Sequence, residues 1–285
     1  MSTEAPAVIT EDQRRTFDSD GVVKIPQAVG PEWIDELLTV VDQEIAQPGP
    51  WVTDTNPDAP TDRLFTTRYR WRDDPIRRRF IFQSGVAGLV GQLLASSSVR
   101  LYFDHLLIKE PETEAPTPWH QDIPYWPFQG ERIASCWVSL TQATVAESSL
   151  EFIRGSHRWG NYYAPKSFNP DEEWERGSAG VEVPNVDDDR DAFDIVGFDV
   201  EPGDALIFSA WALHGAPGNA GDGRRAAFST RWLGDDAVWS PHPSSDPIIT
   251  QDHVSIEPGE YPADDDRFPL VWTAAGADEA APRTN

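Results

Sequence analysis

The sequence predicts a mostly β fold with flanking helices, namely a double-stranded β-helix (a cupin-like jelly roll) that carries an N-terminal helical layer. Helical hydrophobic patterns are concentrated before residue 95, and short apolar segments separated by Gly and Pro turns follow them. A chain of 285 residues also has the size of one large β domain. We therefore expect a single domain at 10–273, a disordered segment at 1–9 and a mobile tail at 274–285.

The helical layer is expected from three segments. Residues 10–13 match a capping box, in which a threonine and a glutamine close the first turn of a helix. Pro31 opens a segment whose apolar residues recur at i, i+3 and i+4, which is typical of a helix with one buried side. A third helix is expected at 80–94. We expect the apolar sides of these helices to pack against the outside of the sheet.

The strands are expected from short apolar segments bounded by turn residues. The first two are expected at 21–25 and 99–108. The later ones are expected near 133–141, 149–154, 193–200, 204–210 and 225–233. The sequence contains no internal repeat and no apolar segment long enough to span a membrane.

Two histidines and an aspartate are the candidate metal ligands. If His120 and Asp122 lie on one strand, their side chains share a face, because strand side chains alternate with period two. His214, at the end of a distant apolar strand, then completes the two-histidine, one-carboxylate arrangement of non-heme Fe(II) oxygenases. His105 and His157 are weaker candidates, since the first has no carboxylate at matching spacing and the second belongs to a Gly-Ser-His turn.

An arginine follows the distal histidine at a spacing that returns it to the same region. A Gly-rich turn after His214 leads to another strand that starts near Arg224. Arg225 shares one face of that strand with Ser229 and Arg231, so Arg224 should point away and is the second choice. A guanidinium can hold a carboxylate through two parallel hydrogen bonds, which suits the far end of 2-oxoglutarate.

Taken together, these features resemble the phytanoyl-CoA dioxygenase family of Fe(II)- and 2-oxoglutarate-dependent oxygenases, over about residues 21–232. The family's His-x-Asp motif, distal histidine, cosubstrate arginine and a tryptophan on the strand after the first motif match His120, Asp122, His214, Arg225 and Trp137. The segment 148–157 also resembles the family's Asn-Gly-x-Leu to Pro-Gly-Ser-His loop.

The chain departs from the family pattern at several positions. Ser148 and Ser149 stand near the usual Asn-Gly, and Arg154 replaces the usual proline. Ala216 stands where many members have a serine that helps hold the cosubstrate carboxylate. Polar support for 2-oxoglutarate is then expected from other residues, and the candidates are Lys109, Ser135 and Ser229.

The resemblance implies an Fe(II)- and 2-oxoglutarate-dependent dioxygenase that hydroxylates an unactivated C–H bond of a small-molecule metabolite and releases succinate and CO2. Asp122 favours hydroxylation over halogenation, because related halogenases vacate the carboxylate position; desaturation, epoxidation and ring formation stay open. A jelly-roll metal enzyme that does not use 2-oxoglutarate, such as a cupin-like dioxygenase or isomerase, would have no need for Arg225. A noncatalytic metal-binding protein is the third alternative.

Aromatic residues and a cluster of arginines suggest where a substrate binds. Oxidation by iron needs a dry, shaped cavity, and the residues expected to wall it are Tyr125, Trp126 and Trp211. Seven arginines fall between residues 63 and 79. One interpretation is a helix-flanking surface paired with nearby acids. The other is that Arg68 or Arg70, interleaved with Tyr69 and Trp71, faces the mouth of the site and attracts an anionic group of the substrate.

Charge and cysteine content limit the possible partners. The formal net charge of −25, from 48 acidic and 23 basic residues, argues against binding to nucleic acid or to an anionic membrane. The single cysteine, Cys136, is incompatible with an internal disulfide framework. Since no positively charged leader precedes an apolar run, a cytoplasmic protein is expected. The expected partners are a small-molecule substrate and dioxygen, with the oligomeric state left open.

Overall fold

The computed structural model describes residues 8–167 and 180–276, and within those ranges it has four α-helices and fourteen β-strands. The helices are α1 (Glu11–Asp20), α2 (Pro31–Ala46), α3 (Pro75–Gln83) and α4 (Val86–Leu93). The strands are β1 (Val22–Ile25), β2 (Val52–Asp54), β3 (Leu64–Arg68), β4 (Ser98–Lys109), β5 (Thr117–His120), β6 (Phe128–Gln129), β7 (Ile133–Ser139), β8 (Glu151–Ile153), β9 (Ile195–Gly197), β10 (Ala205–Ser209), β11 (His214–Ala216), β12 (Arg225–Leu233), β13 (Val238–Trp239) and β14 (Leu270–Thr273).

Most of the two terminal segments expected to be mobile lies outside the described residues. Of the expected disordered segment 1–9, only residues 8 and 9 are described. Ile9 is buried, and its backbone N–H donates to Oε1 of Gln92 at 3.1 Å. Of the tail 274–285, residues 274–276 are described, and the N–H of Ala274 donates to the carbonyl of Ser97.

Two antiparallel sheets form the jelly roll. The larger sheet has the order β1-β10-β7-β12-β4-β3-β2, with β14 pairing against β4, and the smaller has the order β5-β11-β8-β9. Their inner faces share one apolar cluster, in which Phe208 of the larger sheet contacts Phe152 of the smaller at 5.0 Å between ring centroids. The predicted double-sheet fold is therefore confirmed.

The helices cover the outer face of the larger sheet, as the sequence predicts. One apolar cluster joins Leu37 and Val41 of α2 and Val90 of α4 to Leu101 and Phe228 of the sheet. This burial of one side of each helix follows from the spacing of its apolar residues. Among the described residues, none of the helices has the length and apolar character needed to cross a membrane.

The predicted helix at 80–94 is in fact two helices. The first, α3, begins earlier, where Asp74 caps it by accepting from the N–H groups of Ile76 and Arg77. It ends at Gln83, because Gly85 adopts the left-handed conformation with φ of 87° before α4 begins. The break lets α4 turn toward β14 and pack against it.

Two strands that the sequence analysis did not predict, β2 and β3, form one edge of the larger sheet. β3 lies within the arginine-rich segment at residues 63–79, and β2 pairs with β3. Only part of the segment is therefore the exposed surface beside a helix that the sequence predicts. Arg77 is fully buried and pairs with Asp104 at 2.8 Å and with Glu44 at 3.0 Å. The segment thus contributes both to the sheet and to a buried ion-pair cluster.

The segment after β12 covers one end of the two sheets. Trp239 and Phe268 of this segment are fully buried and pack against Tyr102 and Phe128. Asp246, farther along the same segment, donates its backbone N–H to the carbonyl of Tyr125 at 2.7 Å. The part of this segment around Asp246 is therefore part of the wall beside the first metal motif.

Candidate active site

The two candidate histidine ligands face each other across the smaller sheet. His120 is the last residue of β5 and His214 is the first residue of β11, and the two are direct partners in the antiparallel pairing. Side chains of directly opposed residues lie on the same face of a sheet. The two imidazole rings are accordingly 4.2 Å apart between centroids.

Asp122 lies beside the two histidines because the chain turns after His120, and not because the two residues alternate along one strand. The strand ends at His120, and Asp122 has helical backbone angles, with φ of −75° and ψ of −39°, at the start of a short 3-10 helix. Its N–H donates to the carbonyl of Ala210. The sequence predicts that His214 ends an apolar strand. In the structure that strand, β10, ends at Ser209, and His214 is the first residue of the next strand, β11.

The three donor atoms suit one metal ion. They lie within 4.8 Å of one another and belong to buried residues. Oδ1 of Asp122 is 3.6 Å from Nε2 of His120 and 4.0 Å from Nε2 of His214. Atoms at such separations can share an ion to which each bonds at about 2.0–2.2 Å. The predicted ligand set is thus brought together on one face.

Backbone carbonyls fix the orientation of both imidazoles. Nδ1 of His120 lies 2.7 Å from the carbonyl oxygen of Pro118, and Nδ1 of His214 lies 3.1 Å from that of Ala212. Bonds of this kind hold the ring so that the other nitrogen faces the metal. Burial and the nearby His120 lower the pKa of His214 to about 3, so this ring is neutral and its Nε2 lone pair is available.

The second oxygen of Asp122 is held away from the histidines. Oδ2 accepts a 2.5 Å hydrogen bond from Oγ of Ser135, and Nε of Arg231 lies 3.5 Å from it. Burial acts to raise the pKa of Asp122, but the charge of Arg231 and the hydrogen bond with His120 outweigh it and hold the pKa well below its ordinary value. The carboxylate is therefore ionised and presents Oδ1 to the metal position.

A cavity of about 300 Å³ is lined by the three ligands and by Arg225. Arg225 is buried, its guanidinium carbon is 6.0 Å from the Trp137 ring, and Oγ of Ser148 is 3.4 Å from its Nε. Among the described residues no carboxylate pairs with it, and burial alone lowers its pKa to about 10. A buried guanidinium without an acidic partner is suited to binding an anion.

Ser148 differs from the family pattern but lies where it supports the arginine. It adopts the left-handed conformation with φ of 88°, which asparagine and glycine accept more readily than serine. Its hydroxyl donates to the carbonyl of Pro217 at 3.1 Å and lies beside Arg225. Its supporting position beside Arg225 is not evident from the sequence, in which it is only a departure from the family pattern.

The three other residues expected to support the cosubstrate are engaged elsewhere and do not line the cavity. Nζ of Lys109 donates to the carbonyl of Pro217 at 2.7 Å, and burial together with Arg225 lowers its pKa well below the ordinary value. Ser135 bonds Asp122. Oγ of Ser229 donates to the carbonyl of Cys136 and accepts from Arg231. Their hydroxyl and amine groups are thus already paired within the protein.

Of the expected aromatic walls, Tyr125 and Trp126 line the cavity and Trp211 does not. The indole N–H of Trp211 donates to the carbonyl of Gly130 at 2.8 Å, which holds the ring away from the site. The cavity is also lined by Phe103, which the sequence analysis did not select.

Arg70 and Trp71 lie outside the cavity, which corrects the expectation that they face its mouth. Because β3 ends at Arg68, the chain has turned before Arg70, whose Nε donates to Glu44 at 3.0 Å. Trp71 is buried in the cluster under the helices. Arg68, the alternative residue, does line the cavity, together with Asp246 from the end of the chain.

A family profile described as "Phytanoyl-CoA dioxygenase (PhyH)" matches residues 17–227. Among curated proteins, a Caenorhabditis elegans protein named "Probable phytanoyl-CoA dioxygenase" is 25% identical over 181 residues, which are 61% of this chain and 56% of that relative. This match thus spans little more than half of the relative's length.

Solved structures with related folds cover nearly the whole chain. The alpha-ketoglutarate-dependent carbocyclase SnoK from nogalamycin biosynthesis gives a TM-score of 0.71 at 19% identity over 93% of this chain and 97% of that chain. The epimerase SnoN in complex with Fe3+, alpha-ketoglutarate and nogalamycin RO gives 0.70 at 21% identity, over 92% and 98%. EctD from S. alaskensis with 2-oxoglutarate and 5-hydroxyectoine gives 0.66 at 18% identity, over 92% and 88%. At these identities the likeness establishes the fold.

Proposed function

Because the chain belongs to the phytanoyl-CoA dioxygenase family, we propose that it is an Fe(II)- and 2-oxoglutarate-dependent dioxygenase that hydroxylates an unactivated C–H bond of a small-molecule metabolite, with succinate and CO2 as coproducts. One observation carries the proposal. Three converging ligand atoms, two from histidines and one from an aspartate, adjoin a cavity that is also lined by Arg225, a buried guanidinium without an acidic partner among the described residues.

The protein's own side chains hold the reactants in place. His120, Asp122 and His214 are the residues that would hold the metal, beside the cavity in which the cosubstrate and the substrate would bind. Ferrous iron bound there with 2-oxoglutarate would use dioxygen to hydroxylate an unactivated C–H bond, with one oxygen atom going to the substrate and the other to the succinate that forms as the cosubstrate loses CO2. Arg225 donates two parallel hydrogen bonds to the far carboxylate of 2-oxoglutarate, and burial strengthens that contact.

The cavity walls keep water from the reacting groups. Tyr125 and Trp126 line the cavity near the first metal motif, and Trp137 lies beside Arg225. A dry, aromatic enclosure confines oxidation to the bound substrate. Asp122 occupies the carboxylate position, which supports hydroxylation over halogenation.

The test is the binding of 2-oxoglutarate to the Fe(II)-loaded protein, measured by calorimetry without oxygen and followed by succinate release in air. With Arg225→Gln we expect binding to weaken about 100-fold, since a charge-assisted pair contributes about 3 kcal/mol, while iron stays bound. The matched control is Arg224→Gln, because the neighbouring Arg224 pairs with Glu110 and Asp42 outside the cavity. Unchanged 2-oxoglutarate affinity in Arg225→Gln would refute the role of Arg225, and absence of 2-oxoglutarate binding to the wild type would favour a jelly-roll metal enzyme with another cosubstrate.

A further inference from the structure

A second group of nitrogen-bearing side chains lines the cavity away from Arg225. Arg68 of β3 and His105 of β4 are direct partners across the sheet, and Arg231 lies on β12, which pairs with β4 on its other side. The pairing partner of Arg225 on β4 is Lys109. His105 and Lys109 are four residues apart on β4, which corresponds to about 13 Å along the strand. This distance exceeds the length of a 2-oxoglutarate molecule bound to Arg225, so Arg68 and His105 lie beyond its reach.

The guanidinium of Arg68 has N–H groups that do not donate to another described residue. Its side chain is 33% exposed, and Nη1 donates to Oδ2 of Asp246 at 2.8 Å. In the described part of the chain this is the one hydrogen bond that its guanidinium makes, although a guanidinium carries five N–H donors. Asp246 is itself held in place, because Oδ1 accepts from the N–H of Ile248. The remaining donors of Arg68 are available to a molecule in the cavity.

His105 presents a polar atom that the described residues leave unsatisfied. It lines the cavity, and its Nε2 is buried without a hydrogen-bond partner in the part of the chain that the structure describes. Burial and the charges of Arg231 and Arg68 lower its pKa well below the ordinary value, so the ring is neutral. Buried polar atoms nearly always have a partner in native proteins, so Nε2 of His105 is an unsatisfied group beside the cavity, while the partly exposed ring of the same residue lines the cavity.

The charge of the cavity favours one negative group on that ligand. Three arginines and two aspartates line the cavity: Arg68, Arg225, Arg231, Asp122 and Asp246. A ferrous ion and a 2-oxoglutarate dianion cancel each other. One positive charge is therefore left over, inside a protein whose net charge is −25, and a single anionic group would neutralise it in an environment where unpaired charge is costly.

We propose that Arg68 and His105 bind a carboxylate of the substrate, and that the substrate is a small monoanion whose apolar part lies against Phe103 and Trp126. The rings of these two residues meet edge to face at 6.1 Å and line the same cavity. This inference rests on the proposed function, which supplies the metal and the cosubstrate. It narrows the substrate to small carboxylic acids.

The test uses matched acids and amides as probes. Phenylacetate, hexanoate and acetate, each with its uncharged amide, are titrated by calorimetry without oxygen into protein loaded with Fe(II) and saturating 2-oxoglutarate. We expect at least one acid to bind at least 10-fold tighter than its amide. The preference for the acid should fall below 3-fold in the double variant Arg68→Gln with Asp246→Asn. The second substitution is included so that Asp246 is not left without its partner. The preference should also decrease in His105→Phe.

The control is Arg72→Gln, because Arg72 is 38% exposed, pairs with Asp266 and does not line the cavity. It should keep the full preference. The proposal is overturned if none of the acids is preferred over its amide, or if the preference survives in the double variant. Tighter binding of phenyl phosphate than of phenylacetate would overturn the assignment to a monoanion.

The failure of the proposed function can be told apart from the failure of this inference. 2-Oxoglutarate is titrated separately into each variant, and its binding should depend on Arg225 and not on Arg68. If 2-oxoglutarate does not bind the wild type while an Arg68-dependent preference for acids persists, the proposed function fails and the carboxylate site stands. If 2-oxoglutarate binds and no such preference exists, the carboxylate site alone is refuted.

Discussion

Nε of Arg231 lies 3.5 Å from Oδ2 of Asp122, on the opposite side of the carboxylate from the two histidines. Ser135 donates to the same oxygen. The guanidinium is itself held over the rings of Phe103 and Trp126, at 5.6 Å and 5.9 Å. The carboxylate is therefore fixed so that one oxygen faces the metal position and the other is engaged by the protein.

The first prediction concerns the hydrogen bond that orients this carboxylate. Ser135→Ala removes the donor to Oδ2, and we expect Fe(II) affinity to fall about 10-fold, since groups that orient metal ligands typically contribute 10–100-fold. Ser139→Ala is the control, because Ser139 lies on the same strand and donates to the carbonyl of Thr141. Equilibrium dialysis of iron gives the measurement. Equal affinities in the two variants would contradict an orienting role.

The second prediction concerns the metal ligand itself. Asp122→Asn keeps the shape of the side chain but removes the negative charge that a divalent cation requires. We expect iron content, measured by mass spectrometry of the purified protein, to fall well below one equivalent. The far-ultraviolet circular dichroism should be unchanged, because the neighbouring strand pairing of His120 with His214 does not depend on this residue. Full iron occupancy would remove Asp122 from the ligand set.

The third prediction concerns the buried ion pairs under the helices. Arg77→Met leaves Asp104 buried without its cation, while Glu44 keeps Arg70, so we expect the free energy of unfolding to drop by about 3–5 kcal/mol. Arg79→Gln on the same helix is the control, because the exposed pair of Arg79 with Glu36 contributes about 1 kcal/mol or less. Urea denaturation measures both. Similar losses in the two variants would show that burial does not set the difference.

The fourth prediction concerns pH. Burial acts to raise the pKa of Asp204, but hydrogen bonds from Lys24, Gln27 and Glu201 outweigh it and hold the pKa below its ordinary value of 3.8. A carboxylate whose pKa is lowered by folding stabilises the folded state above the ordinary value, and this contribution is lost as the pH falls through the lowered pKa. The unfolded state then binds the proton first.

Asp204→Asn should therefore be less stable than the wild type by about 1.5–3 kcal/mol near neutral pH. The difference in the free energy of unfolding between the two proteins should decrease once the pH falls below 3.8. Urea denaturation of both proteins at a series of pH values measures it. A difference that is constant or that widens on acidification would contradict the assignment of these bonds to the ionised form.

Much of the site could be predicted from the sequence, because its main members fall in two short motifs, His120 with Asp122 and His214 with Arg225, each with a characteristic internal spacing. His120, His214 and Arg225 lie at strand ends that turn residues mark clearly, and the structure brings the two histidines together with Asp122. Asp122 was selected for a reason that the backbone contradicts, since it lies in a turn. The residue type was sufficient although the predicted local conformation was wrong.

The substrate end of the cavity could not be predicted in the same way. Arg68 lies on a strand with buried residues on both faces, so the usual alternation of apolar and polar residues is absent and β3 was not recognised. Its partner Asp246 is 178 residues away in the sequence. No local pattern specifies a contact of that separation, so the sequence left Arg68 and Arg70 as alternatives, and the structure places Arg68 at the cavity.

The direct pairing of His120 with His214 ties the chemistry of the site to the mechanics of the smaller sheet. The register between β5 and β11 shifts between His214 and Ala216, so the backbone ladder is irregular right beside the ligands. An ion held by both histidines crosslinks the two strands at that irregular point, and its binding energy adds to the stability of the sheet. Treatment with a chelator should therefore speed amide hydrogen exchange in β11 before it affects the larger sheet.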